Sequence, residues 1–178
     1  MSFSWAKWLA IAALLAAPVG AFADSDHIIG VANVIDGDTI KIHDQRIRLH
    51  GIDAPESSQE CHRRDGAAWG CGRQAALALR ELIGQRPVTC VRQYADRYGR
   101  IVGVCSMGGN DINAWLVANG WAVAYRRYSS DYVGAETVAR VSGLGIWSGE
   151  FVMPWEWRRE KRSQIRVHTE RRGELPAH

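Results

Sequence analysis

Three carboxylates and two arginines stand in short, motif-like segments of the first hundred residues. Asp38 lies in the segment I-D-G-D-T, and Arg48, Asp53 and Glu56 follow within I-R-L-H-G-I-D-A-P-E. Arg100 closes a later segment, D-R-Y-G-R. Carboxylates hold hard divalent cations, and guanidinium groups stabilise negative charge that develops on a phosphate. This combination predicts chemistry on a phosphodiester.

The predicted strands around these residues bring Asp38 and Asp53 together. Residues 39–42 and 47–52 alternate apolar and polar side chains across a short polar connection, which predicts neighbouring antiparallel strands. Asp38 precedes the first strand and Asp53 follows the second, so both lie at one end of the hairpin. Adjacent carboxylates repel each other unless a cation or a proton lies between them. A hard divalent ion with several bound waters fits this position.

Each of these residues also has a purely structural interpretation. An Asp-Gly pair is a common hairpin turn, so the segment around Asp38 is weak evidence by itself. Glu56, which Pro55 stiffens, is either a general base or a solvated loop residue. Arg48 is either a phosphate ligand or half of a salt bridge at a barrel end, and Arg100 is either a second phosphate ligand or a surface residue. The functional interpretation is favoured because further acidic residues follow the Asp-Gly segment so closely.

The rest of the pattern predicts a small α+β domain. Predicted strands fall at 28–34, 39–42, 47–52, 88–93 and 101–105. Predicted helices fall at 73–83, 111–118 and 131–144, and the long stretch 53–72 reads as a loop. Five strands with a helix between the third and the fourth are typical of an OB-type barrel. The predicted fold is therefore a five-stranded antiparallel β-barrel with about three covering helices.

The N-terminus is predicted to be a signal peptide over residues 1–23. Residues 8–17 are apolar, Pro18 and Gly20 follow, and Ala21-Phe22-Ala23 matches a small-x-small cleavage site. Cleavage would export a chain that begins at Asp24, to the periplasm or the medium. An uncleaved membrane anchor is the alternative, but the apolar run is short for a spanning helix.

Positive charge is concentrated at the C-terminus. The whole chain has a formal net charge of +3, and loss of Lys7 with the signal peptide leaves +2. We divide the mature chain into a domain over 24–157 and a basic tail over 158–178, which is either a helix extension or disordered. Such a balance excludes a strongly basic, DNA-coating protein, so any contact with nucleic acid is local or is helped by the tail.

All four cysteines, Cys61, Cys71, Cys90 and Cys105, follow the predicted cleavage site. In an oxidising compartment an even number of cysteines favours disulfides, and four cysteines allow three pairings. We favour Cys61–Cys71, which closes a local loop, and Cys90–Cys105, which crosses the second hairpin. A zinc site is the alternative, but the C-x-x-C spacing typical of such sites does not occur.

Taken in this order, the three segments resemble the thermonuclease family, whose archetype is staphylococcal nuclease. The resemblance covers about residues 28–147 and implies an OB-fold barrel that cleaves DNA and RNA with calcium and leaves 3′-phosphate ends. By position, Asp38 and Asp53 would be calcium carboxylates. Ala54 would give its main-chain carbonyl to calcium, where the family usually has threonine.

The same resemblance implies the roles of the remaining site residues. Glu56 would be the general base, and Arg48 and Arg100 would be the catalytic arginines. The segment A-Y-R-R-Y resembles the part of the family that supplies base-stacking tyrosines, which would be Tyr125 and Tyr128. A core tyrosine and a rim tyrosine are the structural alternative. The cysteines near Glu56 resemble the exported bacterial branch, in which a disulfide would pin this loop.

We therefore expect an exported, calcium-dependent, sugar-nonspecific endonuclease. It would act as a monomer on single-stranded or locally melted DNA and RNA, with no stable protein partner and no membrane contact after signal cleavage. One alternative is a non-catalytic nucleic-acid-binding module on the same fold, and another is a structural envelope protein. The binding module is disfavoured because such modules lose the acidic and arginine positions that this chain retains.

Overall fold

The computed structural model describes residues 27–171 of the 178-residue chain. The predicted signal peptide, its cleavage site and residues 172–178 of the predicted tail lie outside the described residues. Within residues 27–171, none of the helices combines the length and the apolar character that crossing a membrane requires.

The described residues form short strands and several helices. The strands are β1 (His27–Val34), β2 (Thr39–Ile42), β3 (Gln45–Leu49), β4 (Ile52–Asp53), β5 (Cys61–Arg63), β6 (Ala68–Trp69), β7 (Pro87–Ala95), β8 (Ile101–Met107), β9 (Asn110–Asp111), β10 (Val123–Ala124) and β11 (Gly149–Glu150). The helices are α1 (Cys71–Ile83), α2 (Ile112–Ala118), α3 (Val133–Val141) and α4 (Pro154–Arg171), with a 3₁₀ turn at Gly145–Ser148.

Five strands close into the predicted OB-type barrel. Their order is β3-β2-β1-β7-β8, and β8 pairs directly with β3 to complete the ring. The closing pair is parallel, with Ile47 opposite Ile101, whereas the other four pairs are antiparallel. The barrel is therefore mixed rather than purely antiparallel, because an odd number of strands in a closed ring cannot alternate direction throughout.

The barrel and its covering helices share one apolar core. β2 and β3 contribute alternate side chains that are fully buried, as a half-buried pleated surface requires. These side chains are Ile40, Ile42, Ile47 and Leu49. On α1 the buried residues Ala75, Leu79 and Ile83 recur every fourth position and therefore lie on one helical face. This packing fixes α1 against the barrel.

Helix α1 begins at Cys71, two residues before the predicted start. Its first turn is fixed by the Cys61–Cys71 disulfide and by Gly72, where an added Cβ would lie 1.7 Å from the carbonyl oxygen of Glu56. Only glycine allows this close approach of the helix to the loop that carries Glu56. Gly84 ends the helix with a φ of 56°, as predicted.

The predicted loop 53–72 contains short strands that its sequence did not indicate. β5 pairs with β6 and with β11, which joins this segment to residues 149–150. Both favoured disulfides are present, Cys61–Cys71 within this segment and Cys90–Cys105 between opposed positions of β7 and β8. All four cysteines are therefore engaged in disulfides, and the zinc alternative is wrong.

A fourth helix is the largest difference from the predicted fold. α4 runs continuously across positions 157 and 158, so the helical alternative for the tail holds as far as Arg171. The segment before it packs on the body, where Trp147, Phe151 and Trp155 cover a small buried cluster that includes Cys61 and Cys71. The predicted number of covering helices was too low because the charged sequence of α4 has no apolar period.

Gly72→Ala should destabilise the protein by on the order of 2 kcal/mol, because the new methyl group meets the backbone of Glu56. Glycine-to-alanine changes inside helices normally stabilise them. Gly134→Ala in α3 is the matched control, since an added Cβ there has open space within 4 Å. Thermal unfolding followed by circular dichroism checks the pair, and a lower melting temperature in both variants or in neither would contradict the explanation.

Candidate active site

Asp38 lies at the start of β2, in a tight turn against the end of β3. The carboxylate of Asp36 accepts a hydrogen bond from the Asp38 amide at 3.0 Å, and the Asp38 carbonyl accepts one from the Leu49 amide at 2.8 Å. Gly37 is required between them because an added Cβ would lie 2.7 Å from the Cβ of Ala54. The Asp-Gly segment is therefore a turn, and the same turn orients Asp38.

Arg48 joins the two carboxylates that were predicted to bind metal. Its Nη1 donates to Asp38 Oδ1 at 3.0 Å, and its Nη2 donates to Asp53 Oδ1 at 2.7 Å. Arg48 lies opposite Thr39 in the β2–β3 register, so its side chain leaves the strand at the end where Asp38 stands. The structure thus places both carboxylates at one end of the hairpin, held by a single guanidinium group.

Asp53 is fully buried, with a side-chain exposure of 0%. Its backbone pairs with Val123 in the β4–β10 ladder, and the next amide, that of Ala54, donates to Asp38 Oδ2 at 3.1 Å. Burial raises the pKa of Asp53 above its ordinary value, and hydrogen bonds from Arg158 oppose this effect. A buried carboxylate of this kind requires cationic partners to stay charged.

Glu56 lies in a loop that several contacts pin in place. The buried side chain of Gln59 accepts from the Glu56 amide at 3.3 Å and donates to the Val152 carbonyl at 2.6 Å. The thiol sulfur of Cys71, in the disulfide to Cys61, lies 3.5 Å from the Gln59 carbonyl. The Glu56 side chain itself is 37% exposed, so a fixed backbone presents a carboxylate that solvent can reach.

Arg158, from α4, enters the same cluster and was not predicted to belong to it. Its Nη1 donates to Asp53 Oδ1 at 3.0 Å and to Glu56 Oε1 at 2.8 Å, and its Nη2 donates to Asp53 Oδ2 at 2.8 Å. Burial disfavours the charged form, but these bonds outweigh it and raise the pKa of Arg158. Sequence reasoning missed Arg158 because it lies 105 residues from Asp53, in a segment without a motif.

Arg100 lies on the opposite side of the cleft, at the β7–β8 turn. Its Nε donates to Asp96 Oδ2 at 2.8 Å, and its guanidinium group lies 5.6 Å from the ring centre of Tyr98. Burial raises the pKa of Asp96, but hydrogen bonds from the side chain and backbone of Arg100 outweigh it, so this pKa falls below its ordinary value. Asp96 therefore stays charged and orients Arg100 toward the cleft that both residues line.

Tyr125 and Tyr128 stand at the rim of the cleft with Trp155 of α4. Trp155 stacks on Tyr125 with ring centres 5.4 Å apart and planes 2° from parallel, and Tyr128 meets Tyr125 edge-on at 4.9 Å. The Tyr125 amide donates to the Gly51 carbonyl, and the buried Glu136 accepts from the Ala124 amide. These contacts hold the tyrosine segment beside the carboxylates.

A single cleft of about 720 Å³ joins these groups. The arginines that line it are Arg48, Arg97, Arg100, Arg127, Arg158 and Arg162. The acidic side chains that line it are Asp36, Asp38, Glu56 and Asp96. The aromatic side chains are Tyr94, Tyr98, Tyr125, Tyr128 and Trp155. An excess of arginine with exposed rings suits a polyanion that carries stacking bases.

The donor set suits a hard divalent cation. Within residues 27–171, no three acidic, histidine or cysteine side chains converge into a ready-made metal centre. Asp38 and Asp53 nevertheless lie within the span of one guanidinium group, and all their donors are oxygen atoms, as such cations prefer. The guanidinium group of Arg158 stands as a cation against Asp53 and Glu56, so this position accepts positive charge.

The barrel and its cationic, aromatic cleft define a hydrolytic nuclease. Residues 46–149 match the family model described as staphylococcal nuclease homologue. The chain belongs to this family, and the resemblance inferred from the three segments is confirmed.

Several relatives agree with this assignment. The chain is 41% identical over 129 residues to "Succinoglycan biosynthesis protein ExoI" of Rhizobium meliloti (strain 1021), covering 71% of this chain and 68% of that protein. It is 37% identical over 139 residues to an "Uncharacterized endonuclease" of Escherichia coli, covering 74% and 84%. It is 33% identical over 181 residues to "Micrococcal nuclease" of Shigella flexneri, covering 92% and 98%.

Asp36→Asn should stabilise the protein at neutral pH by on the order of 1 kcal/mol after solvent screening. Burial and the neighbouring Asp38 raise the pKa of Asp36 from 3.8 to about 6. Charging Asp36 therefore costs stability as the pH rises through 6, and below about pH 4 the cost is absent. Asparagine keeps the oxygen that accepts from the Asp38 amide.

Thermal unfolding in chelator at pH 4 and at pH 7.5 tests this expectation. The gain in melting temperature should appear only at the higher pH. Asp44→Asn, at a fully exposed position, is the control and should show no such difference. An equal gain for Asp36→Asn at both pH values would show that ionisation is not its cause.

Proposed function

We propose that this nuclease is a calcium-dependent, sugar-nonspecific endonuclease that leaves 3′-phosphate ends on DNA and RNA. The observation that carries the proposal is the meeting of Arg48, Asp38, Asp53 and Glu56 in one cleft, faced by Arg100. The residues unite a cation-binding pair, a solvent-accessible base and charge-stabilising donors. Phosphodiester hydrolysis requires these groups together.

Calcium would be held by the carboxylates of Asp38 and Asp53 and by the main-chain carbonyl of Ala54. Homologues of staphylococcal nuclease generally depend on a metal ion, and hard oxygen donors suit calcium. When bound, calcium supplies positive charge to the phosphate and lowers the pKa of nearby water.

Glu56 acts as the general base in the proposed reaction. Its exposed carboxylate accepts a proton from the attacking water as the new oxygen–phosphorus bond forms. The bond between phosphorus and the 5′ oxygen breaks on the opposite side. The 5′ oxygen takes up a proton, and the phosphate stays on the 3′ oxygen.

Arg48 and Arg100 donate hydrogen bonds to the phosphate oxygens as negative charge builds in the pentacovalent transition state. Asp38 and Asp53 orient Arg48, and Asp96 orients Arg100, so neither guanidinium group has to search for its position. Preorganised donors of this kind are often the largest contribution to catalysis.

The substrate is single-stranded or locally melted nucleic acid, because the rim offers rings for unpaired bases. Tyr128 is 54% exposed, and Tyr125 is braced by its stacking on Trp155. Aromatic stacking beside arginines tolerates any base and supports an enzyme without sequence preference.

The enzyme is proposed to act outside the cytoplasm as a monomer. Its two disulfides would persist in an oxidising compartment, and the pattern of residues 1–23 is that of a signal peptide. Periplasmic and secreted forms fit these features equally.

Glu56→Gln should lower the cleavage rate by about 10²- to 10⁴-fold while the fold is retained. Plasmid and single-stranded DNA are digested by the chain from Asp24 onward, with calcium and with a chelator. End analysis of the wild-type products should give 3′-phosphates. Glu60→Gln, an exposed glutamate of the same loop, is the control and should cut normally. Undiminished cutting by Glu56→Gln would sink its role as base.

Asp38→Asn should weaken calcium binding by at least about tenfold, because it removes one charge from the proposed pair. The asparagine oxygen still accepts from the Ala54 amide, so the local backbone is preserved. Isothermal titration of the metal-free protein measures the affinity, with Asp44→Asn as the charge-matched control. A calcium affinity equal to that of the wild type would refute Asp38 as a ligand.

A further inference from the structure

The oxygens of Asp53 are already occupied in this structure. Oδ1 accepts from both Arg48, at 2.7 Å, and Arg158, at 3.0 Å, while Oδ2 accepts from Arg158 at 2.8 Å. The same Arg158 group binds Glu56 at 2.8 Å. The proposed metal ligand and the proposed base are thus both engaged by one side chain of α4.

We propose that Arg158 is an internal cation that competes with the divalent metal for Asp53 and also holds Glu56 until it is displaced. In the resting state, Arg158 neutralises the two carboxylates and closes the site. In the active state, the metal takes its place and Glu56 becomes free to accept a proton. This inference rests on the proposed function for the position of the metal.

The two cations exclude each other for reasons of space and charge. Calcium binds oxygen at about 2.3–2.6 Å and so requires direct access to the carboxylate. Asp53 has none while Arg158 is docked, since its side chain is 0% exposed. A guanidinium group and a divalent ion at the same oxygens would also repel each other in a partly buried site.

Arg158 can withdraw without unfolding α4. The helix is anchored separately by Trp155, which stacks on Tyr125, and by the apolar contacts of Phe151 and Met153 with the body. The Arg158 side chain is 25% exposed and ends a long flexible stem, so it can leave the carboxylates into the open cleft. The released guanidinium group then lies beside Arg162, on the side from which a phosphate would enter.

The test measures calcium affinity in the absence of nucleic acid, so it does not depend on cleavage. The apparent affinity of the wild type is reduced by the fraction of molecules in which Arg158 has left the site. Arg158→Gln should therefore bind calcium about tenfold more tightly in isothermal titration. Arg162→Gln removes the same charge from the same cleft one helical turn later, and it should shift the affinity far less.

A second measurement uses the wild-type chain and so stands even if the variant does not fold. The guanidinium protons of Arg158 should be visible and slow to exchange by NMR in metal-free protein, and they should lose this protection on saturation with calcium. Arg158→Lys, which keeps the charge but loses the forked contact, should bind calcium with intermediate affinity.

Distinct outcomes separate this inference from the proposed function. If the wild type binds calcium but Arg158→Gln binds no more tightly than Arg162→Gln, the competition is refuted and the metal site stands. Persistence of protected Arg158 protons at saturating calcium would refute it equally. If neither the wild type nor any variant binds calcium, the proposed metal site fails, and the inference fails with it.

Discussion

The burial of two neighbouring carboxylates is the constraint on which the rest of the cleft depends. Asp38 and Asp53 are removed from water at one end of a barrel, where like charges repel and desolvation disfavours ionisation. Arg48 offsets this cost from a position that the β2–β3 register fixes. The turn at Gly37 and the β4–β10 ladder then hold the carboxylates where the arginine reaches both.

Local patterns predicted the parts of the structure that local physics decides. Asp38, Arg48 and Asp53 could be placed together because they flank one hairpin, in which register is set by alternating apolar residues. The Cys90–Cys105 bond follows from the same kind of symmetry about the second hairpin. The OB-type barrel followed from the count and order of strands, while its parallel closure follows from the odd strand number alone.

Sequence reasoning failed where contacts are distant and carry no periodic signal. Strands of two or three residues, such as β5 and β6, are too short for a pattern, so they were taken for loop. Arg158 lies in a helix whose charged sequence has no apolar stripe, and its partners become apparent only after the barrel has closed. The buried Gln59, which ties the Glu56 loop to Val152 across 93 residues, was missed for the same reason.

Charge balance explains why a second cation belongs in this cleft. Asp38, Asp53 and Glu56 carry three negative charges, against which Arg48 and Arg158 set two positive ones. Without Arg158, one arginine would face three carboxylates, and Asp53 would lose the partner that opposes its raised pKa. A divalent ion in place of Arg158 would complete the neutralisation and leave the displaced guanidinium group as surplus charge. Metal loading would then turn a site that repels phosphate into one that attracts it.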